Sequence, residues 1–83
     1  MSPRRQDFRF AVVYGRNARR ALLDGDIGFA VFYLGHARQA LGCAIAIHGD
    51  GGAAWLLRRA LAQVTREIDV EVSALQSARR AAA

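Results

Sequence analysis

The chain offers few side chains able to do covalent or metal chemistry, and their spacing works against it. His36 and Cys43 fall on one face of a helix, but seven residues separate them by roughly 10 Å, too far to share one metal ion. His48 stands at a helix C-terminus, where the dipole favours a histidine. Asp24, Asp26 and Asp50 each neighbour a glycine, the pattern of turns and helix caps and not of a paired acid and base. No phosphate-binding glycine loop, nucleophile elbow or paired Cys-x-x-Cys motif occurs. The expectation is a non-enzymatic chain without catalytic residues, metal or cofactor.

Two stretches carry binding chemistry instead. All 12 basic residues are arginine, against seven acidic ones, for a net charge of +5. GC-rich coding produces the same arginine preference, but the charge excess still favours anionic partners. At about 100° per helical residue, Arg5, Arg9, Arg16, Arg19 and Arg20 fall within one sector of the first helix, opposite Phe8, Ala11 and Tyr14. Arginine forks match phosphate oxygens, so this stripe is a candidate polyanion-binding face. Val12, Val13 and Leu23 lie in or beside it, and apolar residues among arginines suit a protein contact better than a phosphate track. The second stretch is Trp55, one turn from Arg58 and Arg59 and on the side of Arg66. Tryptophan and arginine are the types enriched at binding hot spots, which makes this group a candidate partner-binding anchor. Stacking of an arginine on the indole within the helix is the plainer alternative.

These residues must be positioned by helices. Ser2 can cap a first helix with Pro3 at its first position, where a missing N–H costs nothing. "DGD" at 24–26 and "HGDGG" at 48–52 each supply a glycine to end one helix and an aspartate to begin the next. The reading is three helices over about 3–23, 27–48 and 53–78, with a fraying alanine-rich tail. "FRFAVVY" and "EIDVEVS" alternate like strands, but both run without turn signals into helix-forming stretches. "FAVVYGRNARRAL" at 10–22 aligns without gaps to "FAVFYLGHARQAL" at 29–41, a weak repeat across what must be a tight antiparallel hairpin. In the third helix, Leu57, Leu61, Val64, Ile68 and Leu75 form a heptad seam interrupted by Glu71.

The second helix is apolar almost all round. Gly28, Gly35 and Gly42 recur every seven residues and make one smooth stripe, and Ala30, Ala37 and Ala44 make another roughly opposite. Each interior glycine costs roughly 1 kcal/mol against alanine. The expectation is that both stripes lie at close helix contacts, with this helix sandwiched at the centre and the glycines as helix-contact positions. Ile27 to Ile47 is long enough to cross a bilayer. His36, Arg38 and Gln39 sit in its middle, and an arginine there costs about 2.5–3.5 kcal/mol, so a membrane span is not expected.

The stretch "ALLDGDIGFAVFYLGHARQALGCAIAIHG" resembles the first helical hairpin of the HEPN bundles in its Gly-Asp break, its aromatic helix start and "HARQAL". It covers about a third of the chain. The Arg-x4–6-His signature of the ribonuclease members is missing, because Arg38 and His48 are too far apart, and no activity carries over.

With 83 residues and 53% hydrophobic content, the chain is a single domain, 1–83, with a thin core. The fold class expected is all-α, a small three-helix antiparallel bundle completed by self-association. One cysteine and the lack of a signal-like apolar run point to a reducing, cytoplasmic setting. The expected function is a basic binding or regulatory module acting by protein–protein association, such as an inhibitor or accessory factor of a mobile element. Homo-oligomers and protein partners come first, and nucleic acid bound along the arginine stripe is the alternative.

Overall fold

A computed structural model describes the backbone of residues 3–82 and the side chains of residues 8–82. The chain folds into three helices, α1 (Pro3–Leu23), α2 (Ile27–His48) and α3 (Gly52–Ala82), and the described residues contain no strand. The fold is an all-α, up-down-up bundle. Its first turn is a Schellman motif: Gly25 takes φ 79°, its N–H donates to the Leu22 carbonyl, and the Asp26 N–H reaches back to that of Ala21 at 2.8 Å. Asp26 then caps α2, its Oδ1 accepting from the Phe29 N–H at 3.1 Å. Gly25→Ala should therefore cost about 1–2 kcal/mol, because alanine resists a left-handed conformation; a thermal melt reads it directly.

The second break uses glycine as expected but not its aspartate. Gly49 ends α2 at φ 86°, donating to the Ile45 carbonyl. Asp50 lies two residues before α3 and caps nothing; its carboxylate accepts from Arg58 Nη1 at 2.6 Å. The Ser2 cap and the side chain of Arg5 fall outside the described residues.

Both strand-like stretches are helical. In α1, Phe8, Ala11 and Ala18 point inward at helical spacing. In α3, Ile68 faces the core and Val72 packs against it four residues later, while Val70 points to solvent. The tail also stays helical to Ala82, past the expected end near 78, since alanine is the strongest helix former and Arg79 and Arg80 suit a C-terminal dipole.

The hairpin core is built on alanine. Ala11 and Ala18 of α1 and Ala30 and Ala37 of α2 are fully buried, which lets the two backbones approach closely. The repeat maps onto this seam: Ala11 aligns with Ala30, Ala18 with Ala37, and Tyr14 with Tyr33, whose rings stack at 6.4 Å. The duplicated alanines thus line the buried side of both helices. Larger core groups come from Leu34 and Leu41 and from Leu61, Val64 and Ile68 of α3.

The α3 seam departs from expectation at its end. Leu57 is partly covered and Leu61, Val64 and Ile68 are buried, but Val72 makes the next contact and Leu75 is exposed. The α1–α2 turn lies beside Glu67, Val70 and Glu71, so the 31-residue α3 runs on past the shorter hairpin and Leu75 has nothing to meet. The molecule is accordingly long and thin, 53 × 19 × 15 Å.

The sandwiched position expected for α2 is not found within the chain. Its buried residues, Ala30, Leu34, Ala37, Leu41 and Ala44, follow 3–4 spacing along one face, which serves both α1 and α3. The glycine stripe is on the other side. Gly28, Gly35 and Gly42 are exposed, and a Cβ at Gly35 or Gly42 would meet nothing within 4 Å. The alanine stripe won the interior because Leu34 and Leu41 flank it and can reach α3, whereas the glycine side has no comparable pair. The glycine at a close approach is Gly15 of α1, where a Cβ would stand 3.1 Å from Leu61 Cδ2.

Candidate interaction surface

The outer side of the hairpin gathers several of the large apolar groups that the core leaves out. Phe29 and Phe32 occupy successive turns of α2, with Tyr33 and His36 beside them. Phe32 meets His36 edge-on at 4.5 Å and Tyr33 at 5.5 Å, and Phe29 meets Phe32 at 6.3 Å and 89°. From α1, Tyr14 closes the row against Tyr33 and against His36 at 5.4 Å. Helical neighbours three and four apart make such contacts, each worth about 0.5–1.5 kcal/mol beyond area burial. The rings hold one another in place although Phe29 and Phe32 stay 55% and 54% exposed. A surface ordered in advance loses little side-chain freedom when covered.

Next to this row, an open groove of about 290 Å³ runs between α1 and α2, lined by Phe10, Tyr14, His36, Gln39, Cys43 and Ile47. Phe10 and Ile47 are both exposed. Sequence reasoning missed Phe10, Val31 and Ile47 as surface groups. A signal for Phe10 was present in the repeat, since it aligns with Phe29 and each precedes a buried alanine.

His36 and Cys43 do share this side, as the spacing implied. Among the described residues no three His, Cys, Asp or Glu side chains come close enough to hold a metal, and none buries a polar or charged side chain. His36 is packed between the rings of Phe32 and Tyr14. The arrangement can bind by contact; it presents no desolvated acid, base or nucleophile.

The structure places the arginine stripe on the outer side of α1 and brings part of it to α3. Arg16 and Arg20 are exposed. Arg19 Nη2 lies 3.5 Å from Glu67 Oε1, an exposed pair worth about 0–1 kcal/mol. Arg9 is exposed and also engaged. Leu23, inside the same sector, is 80% exposed, so the stripe is interrupted by apolar surface as expected.

The group around Trp55 is only partly assembled. The indole is 54% exposed, outside the core, with the Arg59 guanidinium 4.9 Å from its ring centroid. This is the cation–π pair that the spacing allowed. Arg58 turns away to Asp50, and Arg66 donates to Gln63 at 2.6 Å. Leu56 adds a second exposed apolar group beside the tryptophan. Trp55 and Arg59 therefore act together, and Arg58 and Arg66 are separately occupied.

α2 is long and apolar enough to cross a membrane by length and composition, with a mean hydropathy of 1.2 and 28% of that window buried. Its one arginine, Arg38, donates to Thr65 Oγ1 at 2.7 Å, tying the helix to α3. No family model, curated protein or solved structure matches the chain, and the HEPN resemblance rests on the residues quoted for it alone.

Proposed function

We propose that this chain is a non-catalytic binding module that acts by protein–protein association through the outer face of its α1–α2 hairpin. The observation that carries the reading is the apolar surface formed by Phe10, Phe29, Val31, Phe32 and Ile47, each half exposed or more. Exposed apolar area on this scale in so small a domain marks an interaction site. A short basic bundle of this kind suits a regulatory role, such as an inhibitor or accessory factor, in a reducing cytoplasmic setting. Trp55 with Arg59 is a smaller second anchor.

A second reading has its own support. Arg16 and Arg20 leave cationic groups free to track a phosphate backbone along α1, and the chain carries a net charge of +5. Salt separates the two readings, because phosphate contacts release counterions and apolar contacts do not. The immobilised chain, challenged with cell extract, should retain protein at high salt, and Phe32→Glu should abolish that retention. Nucleic acid released between low and high salt, with Arg16→Ala and Arg20→Ala each lowering the salt slope by about one, would replace the first reading with the second.

A further inference from the structure

We infer that a second copy of this chain covers the glycine face of α2, in a twofold contact between two α2 helices. The inference rests on the association reading above and names its first partner.

Three features of the face point to a copy. The first is charge. Between Gly28 and Ile47 the exposed groups of α2 are Phe29, Val31, Phe32, Arg38, Gln39, Cys43 and Ala46 with the glycines, and Arg38 alone is ionised. The one charged residue of the helix, Arg38, is held by Thr65. The other arginines lie on α1 and α3, Arg20 among them beside Phe29, so a contact between two α2 helices brings few like charges together. An anionic lipid surface would instead favour several arginines flanking the apolar face, of which α2 supplies only Arg38.

The second feature is the stripe itself. Gly28, Gly35 and Gly42 read the same in both directions from Gly35. A twofold axis at Gly35 therefore sets glycine against glycine along the crossing, as an isologous contact requires. No described residue fills the space above Gly35 and Gly42, so nothing described offsets the propensity lost at these sites. A second helix would offset it by approaching closely, with the Phe29 and Phe32 ridge packing beside the groove.

The third feature is area. Phe10, Phe29, Val31, Phe32 and Ile47 are 60%, 55%, 52%, 54% and 69% exposed. With large side chains presenting about 150–250 Å² each, they leave on the order of 600 Å² of apolar surface before the glycines, Cys43, Gln39 and Ala46 are added. A standard interface takes about 800 Å² per partner, which this face approaches.

Sedimentation equilibrium of the full chain tests the inference. The expected mass at micromolar concentration is twice 9.0 kDa. Gly35→Leu should weaken the dimer by about tenfold or more while far-UV circular dichroism stays helical, since its own chain leaves that site open. Phe32→Glu should do the same and serves if the leucine variant does not fold. A single-chain mass at every concentration, or a dimer indifferent to both substitutions, would overturn the inference. A monomer that pellets with anionic vesicles through Phe32 would also overturn it and assign the face to lipid. A monomer that still captures another protein through Phe32 would end the second-copy proposal and leave the association reading standing; loss of both effects would end both.

Discussion

Leu61→Ala should lower the melting temperature by on the order of 15 °C, the larger of the two strongest effects expected here. Leu61 is the most central large residue of α3: it is 4% exposed, packs over Gly15 of α1, and lies between Leu57 and Val64 on the seam. Truncating a buried leucine costs about 2–5 kcal/mol, the spread depending on how far the site can collapse. Here an open groove of about 270 Å³ along α1 and α3 already borders the side chain, so the gap can partly fill and the cost falls in the lower half of that range. Each 1 kcal/mol moves the midpoint of a domain this size by about 4–8 °C. A small domain holds little stability in reserve, so the variant should be substantially unfolded in mild denaturant where the parent is folded.

The same contact predicts a coupling. A Cβ at Gly15 would stand 3.1 Å from Leu61 Cδ2, close enough that the leucine must shift. In the parent, that crowding offsets the roughly 1 kcal/mol of helix propensity that Gly15→Ala returns. In the Leu61→Ala background the obstructing methyl is gone and the propensity gain is realised. A double-mutant cycle by chemical denaturation should show the pair non-additive by about 0.5–1 kcal/mol. Additive effects would mean that Gly15 and Leu61 are not neighbours in solution.

That contact also illustrates where sequence reading stopped. Helix ends were legible because their determinants are local: Gly25 and Gly49 adopt left-handed backbone, and Asp26 bonds three residues ahead. The α3 seam was legible as far as Ile68 because a heptad repeat declares its buried side. Gly15 was not, since a lone glycine in a helix acquires meaning only when a residue 46 positions later lies over it. The pairs Arg19–Glu67 and Arg38–Thr65 likewise join helices whose relative rotation no local pattern fixes. Asp50 misled for a related reason: its position before a helix fits a cap, but an arginine eight residues on reaches its carboxylate.

Both small-residue stripes of α2 were expected at close helix contacts, and one local clue bore on which of them turns inward within the chain. Both stripes repeat every seven residues, so spacing alone treats them alike. Leu34 and Leu41 stand midway between successive alanines, completing a 4-3-4-3 pattern with Ala30, Ala37 and Ala44, whereas the residues beside the glycines do not extend into a second such seam. For the candidate surface, the aromatic start of α2 was visible in the sequence. That Phe29 and Phe32 would remain outside the core depended on which stripe turned inward.

Two leucine substitutions on α2 turn this difference into a measurement. Ala37 is fully buried, as is Ala18 on the other helix of the hairpin. Ala37→Leu forces three further carbons into a seam that alanine holds closed, and overpacking of this kind costs about 3 kcal/mol, since neither backbone can yield without separating the hairpin. Gly35→Leu, two residues away, adds a larger side chain where nothing stands within 4 Å. It replaces a poor helix former with a good one, so the single chain should gain up to about 1 kcal/mol, read by denaturation at a concentration low enough to keep molecules apart. The two variants should therefore move the unfolding midpoint in opposite directions. Destabilisation by both would bring the glycine face back into the interior of the single chain. A neutral Ala37→Leu would instead show that the alanine seam is not closed, and with it would fall the reason that the aromatic residues of α2 are left facing outward.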